Sequence, residues 1–218
     1  MKLDKNSYGT LALVYLFSAL VIFSVWKWCD IVWLKWLISA VFVWFIGWQT
    51  FFFRVPKRNA AGSDTDVTAV ADGRIVILDK VFEPEHLKCE CIQISTYMNF
   101  WDVHANFWPV SGEVTYYKYH PGKHLLAFKP KASEDNEHTC ISIRTSNGQE
   151  VMFKQLAGTF ARRIVSYAEP GLKVKAGDQC GIIKFGSRID MYIPLDADIK
   201  VELGQEPRAC ETVIAQLQ

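Results

Sequence analysis

The sequence predicts a β-rich domain of sandwich or barrel type, carried behind an N-terminal transmembrane α-helical hairpin. Three observations predict it. Two uncharged apolar runs lie within the first 53 residues, a polar stretch containing Pro, Gly and Ser follows, and the remainder is built of short alternating segments separated by turn residues.

The hairpin occupies residues 1–53. Residues 10–26 and 36–53 carry no charge, and each run lies near the lower end of the roughly 17–25 residues that cross a bilayer as a helix. Lys27, Asp30 and Lys35 fall between them in a short turn. Six of the eight tryptophans precede residue 50, and Trp26, Trp28, Trp33, Trp36 and Trp48 suit the interfacial belts. A cleaved signal peptide would have neither the second run nor so poor a cleavage site. Lys2 and Lys5 precede the first span, and Arg54, Lys57 and Arg58 follow the second, so both flanks are expected on the cytoplasmic side of a cell (inner) membrane. The hairpin either crosses the bilayer twice or enters it from one face.

Residues 54–66 (RVPKRNAAGSDTD) read as a linker, and the β-rich domain runs over 67–218. VTAVADGRIVILDKVF holds two alternating runs about the turn pair Asp72-Gly73. CECIQISTYM, GEVTYYKY, CISIRTS and EVMFKQLAG alternate as strands do, with Asn147-Gly148 a second turn signal. Helical periodicity shows only in LAGTFARRIV and the last ten residues.

Lys+Arg 24 against Asp+Glu 23 leaves almost no net charge, which excludes nucleic acid as an implied partner. Of the six cysteines only Cys89 and Cys91 are close, on one face of a strand, and no second pair stands at zinc-ligand spacing. Buried free thiols and no metal are therefore expected.

Three clusters offer chemistry: Gly186-Ser187 after a strand, Asp102-Val103-His104 with Asn106, and Asn136-Glu137-His138. Singly each has an ordinary reading, as a turn, a surface Asp/His pair and a solvated loop. In order along the chain they are more specific. Phe52-Phe53-Arg54-x-Pro56-Lys57-Arg58, Ala71-Asp72-Gly73-Arg74, Met98-x-x-x-Asp102-Val103-His104-x-Asn106-x-x-Pro109-x-x-Gly112, Asn136-Glu137, Gln155-x-Ala157-Gly158-x-x-Ala161-Arg162-Arg163-Ile164 and Phe185-Gly186-Ser187-Arg188 together resemble phosphatidylserine decarboxylase of the short prokaryotic (archaeal) type. The resemblance covers essentially the whole chain.

The resemblance implies a proenzyme. Ser187 attacks the Gly186 carbonyl, the chain is cut into a β chain 1–186 and an α chain 187–218, and Ser187 becomes a pyruvoyl group. This covalent cofactor takes the substrate's amine as a Schiff base and accepts the electrons left by CO2, so that phosphatidylserine in the bilayer becomes phosphatidylethanolamine. Glycine before the serine exposes the attacked carbonyl. His104 with Asp102 is the candidate general base, acting together or separately, and His138, standing where arginine is expected, is a third candidate. The α and β chains are expected to stay associated, and a shared site would favour a homodimer. Arg162-Arg163 suits either a lipid phosphate or an ion pair.

Two alternatives remain. EPGLKVKAGDQCGIIKFGSRIDMYIP is similar in its turns to the half-barrels of biotinyl and lipoyl carrier domains, so a lipoyl-like half-barrel is expected, and a non-catalytic carrier or binding module would use Lys184 beside the hairpin tip. A decarboxylase of a related aminophospholipid is the other.

Overall fold

The structure, a computed structural model, describes residues 2–123, 136–158, 163–184 and 187–218. The chain divides into two compact units, Met1–Pro56 and Lys57–Gln218.

The first unit begins with β1 (Lys2–Leu3) and a 3-10 turn (Lys5–Ser7). Helix α1 (Tyr8–Trp28) runs out, α2 (Val32–Phe52) returns, and β2 (Arg54–Val55) pairs antiparallel with β1. Asp4 starts the helical run: its carboxylate accepts the Asn6 N–H at 2.8 Å and its carbonyl accepts the Ser7 hydroxyl at 2.6 Å. Each helix has 21 residues, which at about 1.5 Å per residue matches a hydrocarbon core of about 30 Å. Both are long and apolar enough to cross a membrane. The first helix exceeds its expected span at both ends and the second begins earlier than expected, with the flanking lysines accommodated over aromatic rings. Lys27 Nζ lies 5.1 Å from the Trp28 ring and Lys35 Nζ 5.6 Å from the Trp26 ring. Tyr15 and Thr50 share a hydrogen bond of 2.6 Å, and Trp26 Nε1 donates to Ser39 Oγ at 3.1 Å, so polar groups are satisfied between the helices. Leu13, Phe17, Trp33 and Trp44 stay exposed.

The described residues of the second unit form, in chain order, β3 (Asp66–Thr68), β4 (Arg74–Glu83), β5 (Cys89–Met98), β6 (Ala105–Phe107), β7 (Gly112–His120), β8 (His138–Arg144), β9 (Glu150–Ala157), β10 (Arg163–Ser166), β11 (Lys173–Val174), β12 (Gln179–Lys184), β13 (Ser187–Pro194), β14 (Asp198–Ile199) and β15 (Val213–Gln216). A seven-stranded sheet has the order β11-β7-β8-β9-β13-β5-β4, and two three-stranded sheets have the orders β10-β12-β6 and β14-β15-β3. All pairings between these strands are antiparallel.

Alternation sorts the large sheet into two faces. One face, with Ile94, Met98, Ile141, Ile143, Phe153, Ile189, Met191 and Ile193, packs in a single apolar core with Val67, Ile183, Ile214 and Ala215 of the small sheets. The other face is polar. It holds the fully buried Arg188–Asp190 ion pair, with Nε–Oδ1 at 2.7 Å, and Lys154 at 3.5 Å from Glu83. Cys91, Cys140, Met152 and Tyr192 form a small apolar island within it.

Several expectations change. Asp72-Gly73 does not join two paired strands: β3 pairs with β15 and β4 with β5. Gly73 has φ 148°, and a Cβ there would fall 2.2 Å from the Tyr97 carbonyl, so close backbone approach is what requires the glycine. Asp72 instead binds Arg58, whose Nη2 donates at 2.8 Å, and accepts the Ala209 N–H at 2.8 Å. Residues 54–66 are not free linker. Beyond β2, Arg58 holds Asp72, Ala61 N–H donates to the Cys210 carbonyl at 2.8 Å, and Leu217 N–H to the Thr65 carbonyl at 2.8 Å. The helical periodicity in 156–165 and at the C-terminus gives strands, β9 with β10 and then β15, because tertiary pairing overrides a weak local signal; residues 159–162 lie outside the described ones. Asn147-Gly148 does close the β8–β9 hairpin, with Gly148 at φ 82°.

Candidate active site

Ser187 opens β13, an interior strand of the large sheet. It stands opposite Met98 of β5 on one side and Ala157 of β9 on the other, and is fully buried. Its hydroxyl lies 3.8 Å from Met98 Sδ. Asn106 of β6 reaches the same sulfur through Nδ2 at 4.0 Å. Its Oδ1 accepts the Gln155 amide at 2.9 Å, and Gln155 Oε1 accepts the Thr139 hydroxyl at 2.9 Å. A line of buried amides thus ends beside the serine. Gly181, opposite Asn106, makes room for it: a Cβ there would lie 2.3 Å from the Val165 carbonyl and 2.8 Å from Gln155 Nε2.

His104 is also fully buried. Its carbonyl accepts the Ile183 N–H at 3.3 Å, which fixes it beside the end of β12, the strand that leads through residues 185–186 to Ser187. Its Nδ1 lies 3.1 Å from the Asp102 backbone carbonyl. An Nδ1–H donating there leaves Nε2 as the basic nitrogen. Asp102 therefore positions the ring through its main chain. Its carboxylate accepts the Asn99 N–H at 2.7 Å and closes the turn in front of His104.

Among the expected site residues, Ser187 belongs to this neighbourhood, and His104 and Asp102 flank the strand that feeds it. Gly186 lies outside the described residues, as does Arg162. His138 is on the other face of the sheet. It stands opposite Leu156, which stands opposite Arg188, so alternation turns its ring away from the Ser187 side. Its Nδ1 lies 2.6 Å from the Asn136 carbonyl and its ring stacks on His120 at 4.5 Å. Burial pushes its pKa down, toward a neutral imidazole. Lys184 is the last residue of β12, opposite Arg163, and is half-buried.

Asn106 and Gln155 were visible as parts of motifs, yet nothing in their spacing shows that they meet. Their contact depends on β6 of a small sheet facing β9 of the large one. The six cysteines are free thiols, and burial holds Cys91 up at about 11 and Cys210 up at about 12.

A buried serine at the head of a strand, and a buried histidine bonded to the end of the strand before it, make a candidate site of nucleophile and base. The comparisons specify it. Residues 45–215 match the model of the phosphatidylserine decarboxylase family. The chain is 44% identical over 170 residues to a phosphatidylserine decarboxylase proenzyme of Amoebophilus asiaticus, covering 78% of this chain and 76% of that one. It is 45% identical over 165 residues to that of Cytophaga hutchinsonii, covering 76% and 75%. With that of Bacteroides fragilis it shares 46% identity over 169 residues, covering 77% and 74%. The chain belongs to the phosphatidylserine decarboxylase family and is a carboxy-lyase of phospholipid biosynthesis.

Proposed function

We propose that this chain is a self-cleaving proenzyme whose Ser187 becomes the pyruvoyl group that decarboxylates phosphatidylserine at the cytoplasmic face of the cell membrane. The observation that carries the reading is Ser187 itself, buried at the head of β13, with His104 held against the strand before it.

The steps balance as follows. His104 Nε2 takes the Ser187 hydroxyl proton, and Oγ attacks the Gly186 carbonyl. The peptide C–N bond breaks, the freed amine takes a proton, and an ester links the two halves. A base then removes the Ser187 α-proton, the ester C–O bond breaks, and Gly186 leaves as a carboxylate. Water converts the remaining dehydroalanine to a pyruvoyl group and ammonia. Burial of the hydroxyl keeps solvent from competing in the first step.

The surroundings fit the group. Asn106 and Gln155 place buried amides beside Met98, whose sulfur the Ser187 hydroxyl faces. When formed, the pyruvoyl group supplies an electron sink for the electrons released with CO2. His104 then holds the proton that returns to the substrate α-carbon. The two N-terminal helices cross the bilayer and keep the site near its lipid substrate. The α chain, 187–218, stays with the β chain through β13, paired on both edges, and through β15, paired with β3.

Intact mass under denaturing conditions tests this. Wild type should give two chains, the smaller beginning in a pyruvoyl group in place of Ser187. Ser187→Ala should remain one full-length, inactive chain that still partitions with membranes. Efficient cleavage of Ser187→Ala would remove the mechanism.

A further inference from the structure

On the polar face of the large sheet, four side chains from three separate elements converge. His120 ends β7 and His138 begins β8; they are direct cross-strand partners with rings stacked at 4.5 Å. Cys140 lies two residues beyond His138, on the same face of β8. Glu85 comes from the turn between β4 and β5 and reaches both: Oε1 is 2.6 Å from His120 Nε2, and Oε2 accepts from Cys140 Sγ at 3.1 Å. One donor atom from each residue lies within 4.8 Å of the other three.

We propose that Glu85, His120, His138 and Cys140 form a structural zinc site that clasps the β4–β5 turn to the paired ends of β7 and β8. Four donors around zinc, at about 2.0–2.1 Å for nitrogen and 2.3 Å for sulfur, sit roughly 3–4 Å apart. The cluster closes to that size with small side-chain rotations. Two imidazoles, one thiolate and one carboxylate are the ligand types zinc takes, and the two anions balance its charge.

The support around the four is already in place. His138 Nδ1 is engaged by the Asn136 carbonyl at 2.6 Å, which aims Nε2 at the cluster. Tyr116 donates its hydroxyl to Glu85 Oε1 at 2.8 Å. The turn carrying Glu85 is fixed by Glu83, fully buried, whose carboxylate accepts the N–H groups of His86 at 2.8 Å and Leu87 at 2.9 Å. Cys140 and His138 close the floor of the site, while the His120 and Glu85 side chains keep 26% and 17% of their surface. An ion therefore has a way in. The site lies on the opposite face of the sheet from Ser187, so it is assigned to stability and not to the reaction.

The test uses the full chain in detergent, freed of metal by a chelator and titrated with cobalt(II) alone and, separately, zinc alone. Cobalt should bind at one equivalent and give a thiolate-to-cobalt charge-transfer band with strong tetrahedral d–d absorption. Zinc should displace it and raise the melting temperature. Cys140→Ser, which keeps side-chain size, should abolish the charge-transfer band, whereas Cys91→Ser should keep it. Glu85→Gln, on a different element, should weaken cobalt binding at least tenfold. A wild-type protein that melts cooperatively yet shows no such band overturns the proposal. So does a band that survives Cys140→Ser, or zinc stabilisation equal in wild type and Glu85→Gln.

Discussion

Gly181 is the smallest part of the site and among the least replaceable. A methyl group there meets a strand carbonyl, which cannot move without unpairing β10 from β12, and the Gln155 amide, which would have to leave Asn106. Gly181→Ala should therefore slow cleavage at Ser187 and lower stability by about 1–3 kcal/mol, the usual range for overpacking. Gel densitometry of the two chains, together with a thermal melt, reads both. His104 makes a different claim. Loss of a general base costs about 10²–10⁴-fold in rate, so His104→Ala should cut by that factor more slowly while still inserting in membranes. A cleavage half-time equal to wild type would reduce Asp102 and His104 to structural residues. Ser187, His104 and Asp102 stand out as candidates in the sequence because they sit in ordered motifs. The manner of their contact does not, because a backbone carbonyl that orients a ring leaves no mark in residue type.

At the scale of the element, the β8–β9 hairpin depends on Glu150. Its carboxylate takes Arg144 Nη2 at 2.6 Å, Ser142 Oγ at 3.1 Å and His86 Nε2 at 3.0 Å. Burial alone would raise its pKa, but these hydrogen bonds outweigh burial and hold it below the ordinary 4.5. A depressed folded-state value means that the stabilisation is complete above about pH 4.5 and is lost as the pH falls through the folded-state pKa. Glu150→Gln should thus lower the melting temperature at neutral pH and flatten its fall between pH 5 and the acid limit, measured in detergent at constant ionic strength. The strands of this hairpin were readable from alternation and from Asn147-Gly148. The cluster of Glu85, His120, His138 and Cys140 was not, since spacing rules find ligands that are neighbours in sequence and these are gathered by sheet register. Likewise Asp72-Gly73 carries a turn signature, yet its glycine answers to a carbonyl on β5.

The whole molecule shows which levels of the fold sequence can disclose. Apolar runs in a bilayer need only length and lack of charge, so the helical pair was visible, and only its bounds moved, the start of the second helix the most, from residue 36 to Val32. Strand content was visible too. Strand order was not, because β13 lies between β9 and β5, which precede it by many residues, and no local pattern encodes such pairing. That same placement reaches beyond the site. While the chain is continuous, residues 187–218 find their slots as part of one molecule, and closing even a long loop costs only a logarithm of its length. Under the proposed cleavage at Ser187, the same step becomes an encounter between two molecules. The uncut Ser187→Ala protein should recover its native spectrum after dilution from denaturant, whatever the protein concentration. The matured enzyme should recover only at high concentration, and a second-order refolding phase is the measurement that checks it. Maturation would then work as a ratchet in time: the enzyme keeps a shape it can no longer find for itself.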